Sequence, residues 1–80
     1  MRNILYDNES GLNLPKEVQL QRLLRVMREE LTDIERRTVE QYYFEGLRAA
    51  HIARRRGVHR STVHRTLHRA EAKLRRFLKY

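Results

Sequence analysis

The chain contains no cysteine, which removes both a disulfide framework and a cysteine-ligated zinc site as supports for so short a fold. At 80 residues it lies near the size at which one core only just offsets chain entropy. A single domain held by helix packing is therefore expected, and an enclosed catalytic cleft is not. Long apolar runs are missing as well: Met1 to Asn13 has no stretch of signal-peptide length, and no later segment is apolar enough to span a bilayer. These absences point to a cytoplasmic protein with no membrane partner. There are no internal repeats or low-complexity tracts, and nothing marks a second domain.

What the last third lacks is negative charge. Residues 1–47 hold 7 Lys or Arg against 9 Asp or Glu, a net of −2, whereas residues 48–80 hold 11 against Glu71 alone, a net of +10. A chain needing only solubility would scatter both signs, so positive charge gathered on one segment implies a polyanionic partner, with nucleic acid leading. Association with the nucleoid would follow.

The hydrophobic pattern predicts an all-α, four-helix domain. Residues 1–13 have no helical or alternating period and read as an N-terminal arm, with the domain over 14–80. Pro15 suits a first helical turn, and Leu20, Leu23, Leu24, Met27 and Leu31 follow at helical spacing, giving a helix from about Pro15 to Glu29. Thr32 and Glu35 have capping-box spacing. The second helix carries Ile34, Val39, Tyr42 and Tyr43 and should stop near Phe44, ahead of Gly46. Ala49, Ile52 and Ala53 mark a third, short helix from Arg48 to Arg56. Val63, Leu67, Ala70, Leu74 and Leu78 define the buried stripe of a long last helix from about Arg60 to Leu78.

A short helix, a turn on Gly57-Val58 and a helix anchored by Val63 are the parts of a helix-turn-helix, spanning about 48–69. Ala53 is small where the two helices cross, Gly57 supplies a positive backbone angle, and Val58 and Val63 are expected to plug the junction. This arrangement turns Arg60, Ser61, His64, Arg65 and His68 outward. Arginine can make two parallel bonds to guanine, and serine or histidine can donate or accept, so these five are the candidate base contacts in a major groove. Arg54, Arg55, Thr62 and Arg69 flank them as candidate phosphate contacts, which fix position without reading sequence.

The same residues bear on other chemistry. His64 and His68 are one turn apart, but no cysteine or carboxylate lies near them, and His51 and His59 fall on other elements, so no metal or other cofactor is expected. Ser61 with a histidine on an open helix face has no oxyanion donors, and the chain is not expected to be an enzyme. Tyr42, Tyr43 and Phe44 could stack on bases, but they precede Gly46 in the acidic half and are expected in the core. Glu29, Glu30, Asp33 and Glu35 cluster at a helix start, where carboxylates favour the dipole.

Taken together, Leu31-Thr32-Asp33, Tyr42-Tyr43-Phe44-Glu45-Gly46-Leu47, Ile52-Ala53, Gly57-Val58, Arg60-Ser61-Thr62-Val63, Leu67, Arg69-Ala70 and Lys73-Leu74-Arg75 resemble region 4 of the sigma-70 family. The resemblance covers Leu31 to Leu78; regulators with a LuxR-type domain are second. It implies a stand-alone bacterial transcription regulator whose last helix enters the major groove of a promoter's −35 element, with Arg60, Ser61, His64 and Arg65 at the family's base-contacting positions. It also implies contact between the earlier helices and RNA polymerase.

The chain departs from the family pattern in places. Arg48 and His59 stand where serine is usual, so both helix caps are expected to be weaker. Arg56 stands where a buried leucine is usual, and is expected to lay its stem on the core with its guanidinium in solvent, facing a phosphate. The length leaves no room for a region that melts the −10 element, so a complete primary sigma factor is not expected. One reading helix buries a small interface, which is compatible with a homodimer on two half-sites or a tethering partner. Leu23, Leu24 and Met27 are candidate dimer contacts if they do not close the core. The other reading is a protein-interaction module whose helices engage RNA polymerase and for which DNA contact is secondary.

Overall fold

A computed structural model describes residues 16–78, so the arm over 1–13 and the role of Pro15 lie outside the described residues. The described residues form four helices and no strand: α1 (Lys16–Glu30), α2 (Asp33–Val39) running on into a π-helical turn (Glu40–Phe44), α3 (Ala49–Arg56) and α4 (Arg60–Leu78). None of them is long and apolar enough to cross a membrane.

Each boundary has a local cause. Thr32 is extended, and its hydroxyl accepts from the Glu35 N–H at 3.2 Å while the Glu35 carboxylate accepts from the Thr32 N–H at 2.9 Å; this is the capping box read from the sequence. At the far end of α2 the ladder widens, with Glu45 N–H bonding to Glu40 C=O at 2.9 Å, and Gly46 at φ 72° turns the chain out. Gly57 at φ 69° ends α3 in a Schellman arrangement: the Val58 N–H reaches Ala53 C=O at 3.0 Å and the Gly57 N–H reaches Arg54 C=O at 3.3 Å.

The core forms two clusters along α4. Ala70 and Leu74 pack with Leu23, Met27, Leu31 and Val39; further toward the N-terminus of α4, Val63 and Leu67 pack with Ala49, Ile52 and Ala53. Tyr43 borders both clusters, and its ring meets Tyr42 edge-on at 5.0 Å between centroids. Several apolar side chains expected inside lie outside. Leu20 and Leu24 flank the buried Leu23 and Met27 on α1 but are exposed, as are Ile34 and Phe44. Val58 is 42% exposed and does not plug the helix-turn-helix junction; Val63 does so alone, at 1%. Leu23 and Met27 close the monomer core, leaving only Leu24 of the three candidate dimer contacts at the surface.

Candidate nucleic-acid interface

The helix-turn-helix consists of α3, the Gly57–His59 link and the first turns of α4. Ile52, Ala53, Val63 and Leu67 hold the two helices together. Ala53, only 3% exposed, is the small residue at their crossing.

With about 100° between successive helical residues, the buried Val63, Thr66, Leu67, Ala70 and Leu74 form one stripe of α4. Ser61, His64, Arg65 and His68 fall on the opposite side, and all four are exposed. Arg60, also exposed, is the first residue of α4 and lies off that face, on the side toward α3, where it borders a hollow with Arg54.

The start of α4 is capped in a way the sequence reading did not foresee. His59 Nδ1 accepts from the Ser61 N–H at 3.1 Å, and Ser61 Oγ lies 2.9 Å from the same nitrogen. The imidazole thus takes the place of a serine or aspartate cap, correcting the expectation of a weak cap here. Arg48, by contrast, makes no side-chain cap bond to α3.

The candidate phosphate contacts do not share one environment. Arg54 and Arg55 are exposed on the last turn of α3, and Arg54 borders an open hollow lined also by Ala50, Ala53, Val58, His59 and Arg60. Thr62 is half-buried and accepts from Arg65 Nη2 at 3.3 Å. Arg69 is drawn the other way, with Nε 3.7 Å from Glu35 Oε2 and Nη2 3.4 Å from Thr66 Oγ1.

Ion pairing sorts the cations by position. Arg69 and Lys73 share the buried Glu35, and Arg75 faces Glu71 at 3.9 Å. Glu71, the sole acid of the basic segment, accepts from the Tyr43 hydroxyl. Arg36 and Arg37 pair with Asp33, Glu40 and Glu45. Among the described residues no ion pair involves Arg48, Arg54, Arg55, Arg60 or Arg65. Among the described residues, Arg69, Lys73 and Arg75 on α4 have carboxylate partners, Arg76 lies over the Phe77 ring instead, and the arginines around the helix-turn-helix have no carboxylate partner.

Arg56 departs from its expected placement. Arg56 is half-buried, and its guanidinium is turned toward α2. Nη1 donates to Thr38 Oγ1 and Nη2 to Gln41 Oε1, each at 2.6 Å. Burial, and then the nearby Arg37, lowers its pKa from the usual arginine value.

Residues 20–74 match the family model described as Sigma-70, region 4. The chain belongs to the sigma-70 region 4 family. The match decides between the two resemblances drawn from the sequence. It also places the chain among DNA-binding transcription domains, a class distinct from enzymes whose members interact with DNA and RNA polymerase. No curated protein and no solved structure matches the chain. What the sequence reading missed in this region 4 domain was the inward side of its polar chemistry, namely the His59 cap and the partners of Arg56, Glu35 and Glu71. Glu35 and Lys73 are 38 residues apart, and no local pattern links them.

Proposed function

We propose that this region 4 domain binds double-stranded DNA in a sequence-specific manner in the regulation of transcription. Arg60, Ser61, His64, Arg65 and His68 meet base edges in the major groove. Arg54, Arg55 and Thr62 meet phosphates, and Arg69 joins them where Glu35 releases it. The observation that carries this reading is the uncompensated charge of Arg54, Arg55, Arg60 and Arg65 around the turn, beside a helix face free of core residues. A polyanion supplies the missing counter-charge, and the exposed polar face supplies donors and acceptors suited to base edges.

The test is selection from a randomised duplex pool at two salt concentrations, with an Arg60→Ala/Arg65→Ala double variant alongside. Enrichment of a motif, lost in the double variant, is expected; a palindromic motif would mean a homodimer. Binding without enrichment that collapses with salt would reduce the function to phosphate attraction.

A second reading, contact with RNA polymerase with DNA secondary, draws on the exposed Leu20, Leu24, Ile34 and Phe44 on the helices before α4. Absence of DNA binding at low salt would favour it.

A further inference from the structure

Arg56 is the last residue of α3, and the chain turns at Gly57 directly after it to start α4. Thr38 and Gln41, its two partners, are three residues apart on α2 and its π-helical turn, so they sit on one side of that element, about one turn from each other. A guanidinium is a planar fork whose two Nη groups can each serve one of these oxygens, which a lysine ammonium cannot do with the same geometry.

The acceptors are themselves fixed. Thr38 is fully buried and donates to Ile34 C=O at 2.6 Å, which leaves its oxygen lone pairs for Arg56. Gln41 is 5% exposed. Among the described residues no carboxylate pairs with Arg56. A half-buried cation is thus held by two neutral groups, beside the like-charged Arg37. Among the described residues its exposed neighbours Arg54 and Arg55 make no such contact.

We infer that Arg56 is a positioning residue for sequence reading, one that makes no contact with DNA: its fork ties the end of α3 to α2 and thereby fixes the angle at which the Gly57 turn launches α4. The inference rests on the DNA-reading function proposed above. Two of the five guanidinium N–H donors are committed to Thr38 and Gln41, which turns the fork toward α2 and away from the exposed side chains of Arg54 and Arg55.

The experiment measures affinity for a duplex selected by the wild-type chain and for a scrambled duplex, at several salt concentrations, with Arg56→Lys, Arg56→Met, Gln41→Leu and the Arg56→Lys/Gln41→Leu pair. Circular dichroism melts confirm that each variant is folded. Arg56→Lys and Gln41→Leu are each expected to lower the selected-to-scrambled ratio by about tenfold, and the pair by no more than either alone, as members of one network do. Affinity of Arg56→Lys for the scrambled duplex and its salt slope stay at wild-type values. A wild-type ratio in Arg56→Lys, with a salt slope lowered by about 1 in Arg56→Met, would overturn the inference and make Arg56 a phosphate contact. A neutral Gln41→Leu would overturn it too.

If the wild-type chain itself shows no preference between duplexes, the DNA-reading function fails separately. Amide NMR shifts then decide the positioning role. Coincident changes from Arg56→Lys and Gln41→Leu at Gly57 to Val63 support it, and changes confined to α2 overturn it.

Discussion

Lys73 Nζ lies 2.8 Å from Glu35 Oε1, joining the middle of α4 to the first turn of α2 through a carboxylate that is almost wholly buried. The same carboxylate accepts the Thr32 N–H, so one side chain caps α2 and anchors α4. Burial by itself would raise the Glu35 pKa. The hydrogen bonds from Lys73 and Thr32 outweigh it and hold the carboxyl below its ordinary value of 4.5. A depressed folded-state pKa contributes stability that is present above 4.5 and lost as pH falls through the lower, folded value. Chemical denaturation of Glu35→Gln should therefore give a flatter stability profile below about pH 4.5 than the wild type. At neutral pH the variant should be less stable by about 1–3 kcal/mol, a range lowered because Lys73 is partly solvated.

Tyr43 supplies a test at the alkaline end. Burial first, and then the Glu71 carboxylate it donates to, raise its phenol well above the ordinary 10.0. A raised folded-state pKa means the contribution is complete below 10.0 and is lost as pH rises through the folded value. Spectrophotometric titration should show the Tyr43 phenol ionising at higher pH in the folded chain than in the unfolded chain. Tyr43→Phe should remove that difference and lower stability by about 1–2 kcal/mol, since Glu71 is left with Arg75 alone.

The His59 cap predicts a graded series. His59→Ala should cost about 1 kcal/mol in thermal or chemical unfolding, and His59→Ser should recover it, because a hydroxyl can accept the same Ser61 N–H. If alanine proved neutral, the imidazole cap would contribute nothing to the start of α4.

Gly57→Ala isolates backbone strain. A Cβ at that position would meet nothing within 4 Å, so the whole penalty comes from φ of +69°. The expected loss of stability is about 1–2 kcal/mol, read from the denaturation midpoint.

Salt dependence separates the flanking arginines. Alanine at Arg54 or Arg55 should lower the slope of log affinity against log salt by about 1 each, with base preference unchanged. Arg69→Ala should change it less, because Glu35 already holds that guanidinium at 3.7 Å in the free protein.

The fold was legible wherever spacing alone dictates an outcome. The stripe of Val63, Leu67, Ala70 and Leu74 repeats at helical intervals, and all four are buried. The Thr32–Glu35 box and the two glycine stops are likewise local patterns. Apolar identity at the margin of a stripe was a poorer guide. Leu20 and Leu24 sit beside Leu23 and Met27 on α1, yet whether a flanking residue is covered depends on how far the neighbouring helix extends over it. Thr66, 4% exposed, shows the converse: a polar residue can enter the stripe when its hydroxyl bonds back to Thr62 C=O at 3.0 Å. The exposed face of α4 was readable because it is the complement of the buried one. The Arg56 network was not, because its acceptors lie 15 and 18 residues away on another helix.

The two stripes of α4 divide the helix without sharing a residue, since none of Ser61, His64, Arg65 and His68 belongs to the core. Substitution on one side therefore leaves the packing on the other intact. Under the proposed DNA-reading function, such a scaffold would be retargeted by exchanging a handful of surface side chains, and its target preference would drift independently of its melting temperature.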